Sequence, residues 1–154
     1  MPKQSAGLLM FRRSRGSIEV LLVHPGGPFW ARKDEGAWSI PKGAFEQGED
    51  GLSAARREFE EETGSRPAGP ITELGVFKQP GGKHVHAWAI EGDFDMASFK
   101  SNSFSMEWPP RSGRKQEFPE ADRAGWFTPD DAFVKLLRGQ RPIMKALLDR
   151  LETQ

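Results

Sequence analysis

Apolar positions crowd into two short runs at the start of the chain, "SAGLLMFRR" and "SIEVLLVHP", joined by "RSRG" with a turn glycine at Gly16. That pattern predicts an antiparallel β-hairpin. The next stretch, "GGPFWARKDEGAWSIPKG", is rich in Gly, Pro and charge and reads as a long loop, with a short strand at "AWSI". From Asp50 to Thr63 helix-forming residues dominate, and Gly64 follows as a stop, which predicts a helix. "ITELGVFKQ" and "KHVHAWAIEG" alternate around "PGG" and predict a second hairpin, so the sheet is mixed or antiparallel around that helix. "SFKSNSFSMEWPPRSGRKQEFPEADR" reads as an ordered loop or insertion, and "AGWFT" as one more strand. "PDDAFVKLLRG" and "PIMKALLDRLE" read as helices, the first with acidic residues at its start and basic residues at its end.

Composition narrows the class. A chain of 154 residues suits a single domain over 1–154. Lys plus Arg and Asp plus Glu each number 22, so no global field draws the protein onto a membrane or a long nucleic acid, and charge-based binding has to be local. There is no cysteine, which excludes disulfides, thiolate metal sites and a cysteine nucleophile. No apolar stretch approaches a membrane span, and the expectation is a soluble, cytoplasmic protein, monomer or homodimer.

Candidate chemistry lies in "GAFEQGEDGLSAARREFEEETG". At about 100° per residue, Glu58, Glu61 and Glu62 share one arc of roughly 100°, and that arc borders the apolar stripe of Leu52, Ala55 and Phe59. Like charges at these spacings repel by a few tenths of a kcal/mol per pair. Two readings follow: an ordinary solvated helix face, or a site for a divalent cation, which would relieve the repulsion. Oxygen-only ligands suit Mg²⁺ or Mn²⁺ with a phosphate-bearing substrate.

The full pattern resembles the Nudix box, Gly-x5-Glu-x7-Arg-Glu-apolar-x-Glu-Glu-x-Gly-apolar. Gly43, Glu49, Arg57, Glu58, Phe59, Glu61, Glu62 and Gly64 fill it, with one departure, Ser65 at the final apolar position. "WSIPKG" also resembles the approach to the box in many members. The resemblance implies an α/β fold, the Nudix-type α/β/α sandwich with a mixed central β-sheet. It implies that Glu58, Glu61 and Glu62 bind Mg²⁺ or Mn²⁺ with the Gly43 carbonyl, and that Glu49 assists in a surrounding shell or at a further metal. Arg57 would orient glutamates, and Lys42 would reach a substrate phosphate. The implied reaction is hydrolysis of a pyrophosphate bond in a nucleoside diphosphate linked to another group. Nucleoside triphosphates and dinucleoside polyphosphates lead, nucleotide sugars such as ADP-sugars follow, and a capped RNA end is more distant. A catalytically silent nucleotide-binding sensor is the alternative from another class, although such a protein is expected to lose box glutamates and all are present here.

Outside the box, Glu117 and Glu120 are the candidate general bases, with a box glutamate as the alternative. Arg32, Lys33, Arg111, Arg114 and Lys115 are candidate phosphate contacts. Phe29 and Trp30 are candidate base-stacking residues, whereas Trp38, Trp88 and Trp126 read as core. His84 and His86 share a strand face, which suits a metal pair only if a third ligand joins them.

Overall fold

The structure, a computed structural model, describes residues 4–152. The first hairpin forms as predicted, from β1 (Gln4–Ser14) and β2 (Ser17–Pro25), with Phe11 opposite Val20 and Ser14 opposite Ser17. The second forms from β4 (Ile71–Lys78) and β5 (His84–Glu91), and β5 lies parallel to β1 from Gln4–His84 to Phe11–Glu91. With β8 (Ala121–Phe127) antiparallel to β2, the strand order is β4-β5-β1-β2-β8 and the sheet is mixed.

Burial on both faces explains why β1 reads as a continuous apolar run. Leu8 and Met10 of β1 and Leu21 of β2 pack with Ala54, Ala55 and Phe59 of the helix α1 (Gly51–Thr63). The alternate residues Leu9, Phe11, Val20 and Leu22 pack with Ala132 of α2 (Pro129–Lys135) and Ile143, Met144 and Leu147 of α3 (Arg141–Glu152). The result is the expected α/β/α sandwich. No helix among the described residues is long and apolar enough to cross a membrane.

The structure differs from the sequence reading in four places. "AWSI" forms isolated bridges, Val23 with Ser39 and Trp38 with Leu136, and the short strand falls later, at β3 (Lys42–Ala44). The span read as a loop contains a hairpin, β6 (Ser103–Glu107) with β7 (Lys115–Pro119), forming a separate two-stranded sheet. The helix at "PDDAFVKLLRG" ends at Lys135, because Leu136 turns extended to bridge Trp38 and bury its side chain. Trp38 and Trp88 are core, but Trp126 is only half-buried, beneath the Arg12 guanidinium.

One irregularity of the sheet positions the site. β1 pairs with β2 through residues 11–14 but with β3 through residues 5–7, so its partner changes along one edge. Between β2 and β3 the sheet opens a cleft, at the kind of break in strand order where ligands bind in α/β sheets.

Candidate active site

The cleft measures about 490 Å³, a size suited to small ligands. Val23, Pro25, Trp30, Phe104 and Leu137 give it an apolar lining, and Lys42, Gly43, Glu58, Glu62 and Glu120 a charged one.

The charged side is held from α1. Asp50 caps the helix by accepting the Ser53 N–H at 2.8 Å, and the chain leaves it through Gly64 in the left-handed region, whose N–H donates to the Glu60 carbonyl. This register turns Glu58, only 8% exposed, toward β3. Gly43 faces it across a gap too small for any side chain, since a Cβ there would lie 2.1 Å from the Glu58 carboxyl carbon. Glycine at position 43 is therefore required by close approach.

Arg57 gathers the acids. Its Nε and Nη2 donate to the two carboxylate oxygens of Glu49 at 2.9 Å each, a bidentate clamp. Its Nη1 donates to Glu58 at 2.9 Å and Glu61 at 3.1 Å, and its Nη2 to the Ala44 carbonyl at 3.0 Å. The guanidinium hydrogen bonds hold Glu49 below the ordinary carboxylate range, while Glu49 and Glu58 push the Arg57 pKa further up.

Glu120 reaches the same cluster through a backbone relay. The Asn102 N–H donates to the Glu61 carbonyl at 2.8 Å, and the Glu120 N–H donates to the Asn102 carbonyl at 2.7 Å. Glu58, Glu61 and Glu120 thereby place one carboxylate oxygen each within 4.8 Å of the others, and among the described residues no other such trio occurs. Burial raises the pKa of Glu120, and the charges of Glu58 and Glu61 add to it. Burial likewise raises Glu58 against the pull of Arg57. Glu62 is pushed up to about 9, first by burial and then by Glu58, with Lys42 opposing. Its Oε2 accepts the Lys42 N–H at 3.3 Å.

The sequence also points to residues that the fold sets apart. Glu117 lies exposed on β7 opposite Ser105, away from the cleft that Glu120 lines. Arg32 and Lys33 do not line the cleft, and the Lys33 ammonium lies 5.1 Å from the Trp30 ring centre. Arg111, Arg114 and Lys115 sit at the tip of the β6–β7 hairpin. Phe29, 62% exposed, packs edge-on against Trp108. His86 pairs with Glu73 and stacks on Trp88, and no metal cluster forms there among the described residues.

The profile of the NUDIX domain matches residues 1–151. The chain belongs to the NUDIX domain family. An RNA pyrophosphohydrolase of Caulobacter vibrioides (strain NA1000 / CB15N) is 44% identical over an alignment of 163 residues covering 85% of this chain and 92% of that protein. Among solved structures, a C. elegans Ap4A hydrolase binary complex superposes with a TM-score of 0.67 at 22% identity, covering 97% of this chain and 99% of that one. The NUDIX domain of Shewanella oneidensis NrtR complexed with ADP ribose gives 0.67 at 15% identity, over 98% of this chain and 89% of that one. At these identities the two structures show the shared Nudix fold.

The donor chemistry fits a hard divalent cation: carboxylate oxygens of Glu58 and Glu61, from the Nudix box, and of Glu120, outside it, converge beside a glycine cradle, with Arg57 as a braced counter-charge. The Ser65 departure is absorbed locally, its N–H donating to the buried Thr63 hydroxyl at 3.2 Å.

Two residues that the sequence reading missed also shape the site. Phe104 lines the cleft, and its signal was the period-two alternation of "SFSME" and "KQEFP" on either side of a connection with Pro109, Pro110 and Gly113. His24, fully buried, joins Asp122 of β8 through Nδ1 at 2.7 Å and the Lys33 carbonyl through Nε2 at 2.6 Å. It ties the Trp30 loop to the strand that follows Glu120, and no local sequence pattern announces a contact of that range.

Proposed function

We propose that this Nudix pyrophosphohydrolase depends on a divalent cation and hydrolyses a phosphoanhydride of a 5′-polyphosphorylated nucleotide, with the 5′-triphosphate end of RNA as its leading substrate. The convergence of Glu58, Glu61 and Glu120, two of which, Glu58 and Glu120, line the cleft, carries the reaction. The 44% identity to an RNA pyrophosphohydrolase supports the substrate. It moves RNA ahead of the free nucleotides that the sequence alone placed first. The near-zero net charge argued against a long RNA track, but recognition of an RNA end needs only local contacts.

Glu58, Glu61 and Glu62, with the Gly43 carbonyl, are the residues that would hold Mg²⁺ or Mn²⁺. The bound cation supplies charge neutralisation at the phosphate oxygens and a more acidic water. Arg57 fixes the carboxylates before substrate arrives, and Glu49 fixes Arg57. Lys42, on the cleft wall, attracts a phosphate oxygen. Glu120 takes the proton of the attacking water at its carboxylate, and its raised pKa brings it closer to neutral than a free glutamate. Glu117 has no place in this reaction. Residues 1–154 act as a single domain.

A second reading, a free nucleoside triphosphate or dinucleoside polyphosphate as substrate, is favoured by the cleft volume. Incubating the protein and Mg²⁺ or Mn²⁺ with a 5′-triphosphorylated oligoribonucleotide, nucleoside triphosphates and dinucleoside polyphosphates, and weighing the products, separates the two. Faster release of pyrophosphate or phosphate from RNA supports the first. Turnover of free nucleotides alone selects the second, and no turnover with either metal overturns both.

A further inference from the structure

Glu120 stands at a corner of the chain, between the last residue of β7 and the first of β8. A short segment, residues 100–102, passes the end of α1 on its way into β6 and holds that corner. Phe99 anchors it by packing with the Phe59 cluster on the α1 face of the sheet. On one side the segment meets the last turn of α1, whose carbonyls have no partner within the helix. The Lys100 N–H donates to the Thr63 carbonyl at 2.9 Å and the Asn102 N–H to the Glu61 carbonyl at 2.8 Å. Gly64 makes room for the crossing, since a Cβ there would lie 2.6 Å from the Lys100 carbonyl oxygen. On the other side the segment meets the corner. The Glu120 N–H donates to the Asn102 carbonyl at 2.7 Å, and the N–H of buried Ala121 donates to the Ser101 hydroxyl at 2.9 Å. That hydroxyl in turn donates to the Asn102 carbonyl at 2.9 Å, which closes a small ring of hydrogen bonds on the backbone of Glu120. From the loop after β2 the Gly26 N–H donates to the Glu120 carbonyl at 3.0 Å. The fit there is close: a Cβ on Gly26 would lie 1.9 Å from the Pro119 carbonyl oxygen, and one on Gly27 3.1 Å from the Phe104 ring.

We infer that Ser101 is a positioning residue for the hydrolysis: through its hydroxyl, the segment at 100–102 fixes Glu120 in register with Glu58 and Glu61. The inference rests on the general-base role proposed for Glu120 above. Both backbone polar groups of Glu120 are engaged and the amide after it is tied to Ser101, so the direction of the chain is set on both sides of the carboxylate. The same segment holds the Glu61 and Thr63 carbonyls, so the base is registered against the helix that carries the acids. Removing the hydroxyl leaves the Ala121 N–H without its acceptor and the Asn102 carbonyl with one donor fewer, while every carboxylate stays in place. The corner can then relax, and a misplacement of about 1 Å costs on the order of 10² in rate. Ser101 does not line the cleft, so substrate contacts on the cleft wall are untouched and the loss falls on kcat.

A double-mutant cycle tests this, with Ser101→Ala, Glu120→Gln and the two combined assayed with Mg²⁺ on a 5′-triphosphorylated oligoribonucleotide and on a nucleoside triphosphate. Ser101→Ala is expected to lower kcat by about 10- to 100-fold and to leave KM within about twofold. In the Glu120→Gln background the same change should cost less than about twofold, because no base remains to be misplaced. Ser101→Thr keeps the hydroxyl and should restore most of the rate, which guards against a folding defect. Amide hydrogen exchange in the metal-free protein gives a reading independent of turnover: Ser101→Ala should speed exchange at Glu120 and Ala121 by roughly tenfold or more and leave the β4–β5 amides unchanged. Unaltered exchange at Glu120 and Ala121, equal losses of kcat in both backgrounds, or no recovery in Ser101→Thr overturns the inference. Wild-type turnover by Glu120→Gln alone, or no turnover by the wild type, defeats the base or the reaction proposed above and takes the positioning role with it. Either of those failures is recognised without any Ser101 variant.

Discussion

The two sides of the cleft are held by different forces. The charged side is built on one helix and the strand beside it, where a single guanidinium fixes three carboxylates and a glycine admits the most buried of them. The aromatic side is built from a loop and a hairpin about 75 residues apart, joined by backbone contacts and ring edges. The first has little freedom, because Glu49, Glu58 and Glu61 share one guanidinium that resists their displacement. The second depends on shape, and individual side chains there contribute less. On the proposed function, chemistry belongs to the side that is fixed and selection of substrate to the side that is docked.

Substitutions can break this contrast, and the largest effect is expected at Glu58. Glu58→Gln keeps the volume but removes charge at the cluster, and kcat should fall about 10⁴-fold, corresponding to several kcal/mol of lost stabilisation. A loss smaller than tenfold would place the chemistry elsewhere. Glu120→Gln should cost about 10²- to 10⁴-fold in kcat, the usual range for a general base. Gly43→Ala leaves every charge in place but forces Glu58 aside, and a displacement of about 1 Å costs on the order of 10² in rate. Its kcat is the measurement, and wild-type turnover would show that the cradle is not needed.

Glu62 gives a subtler test, read in the metal-free protein. Its folded pKa of about 9 exceeds the free value of 4.5, so between those pH values the folded chain keeps a proton that the unfolded chain releases. Stability is then greatest near or below pH 4.5 as far as this group is concerned, and it declines as pH rises toward 9. Glu62→Gln should flatten that decline and raise Tm at pH 8 by a few degrees, measured by thermal melts across the pH range. Cation affinity should run the other way and strengthen with pH, because the proton has to leave. The smallest effect belongs to Glu117→Gln, with turnover within about twofold of wild type, since its carboxylate stands outside the cleft.

The same contrast governed what the sequence could disclose. The acidic side was legible because its spacing is short-range: positions three and four apart on a helix share a face whatever the rest of the chain does. The two hairpins and the helix at 51–63 were legible for the same reason. Glu120 was named but not separated from Glu117, because the backbone relay through Asn102 to Glu61 that brings it in exists only in the folded chain. The β6–β7 hairpin is hard to tell from a loop in sequence, since Pro, Gly and Ser mask two strands of five residues each. The early end of α2 depends on Leu136 finding Trp38, a contact made across about a hundred residues. Arg32 and Lys33 had the right charge for phosphate, but charge alone does not fix direction.

The double glycine at 26 and 27 has one more implication. Besides the ring edges of Phe29 and Trp108, this loop meets the hairpin with bare backbone, against the Pro119 carbonyl on one side and the Phe104 ring on the other. A seam of that kind constrains only the residues that form it. The outward positions of the hairpin, Ser103, Ser105, Lys115 and Glu117 among them, stay free to change sequence without disturbing the join. The hairpin is in that sense a replaceable cassette, joined to the rest of the fold by a seam that leaves its outward face free to vary.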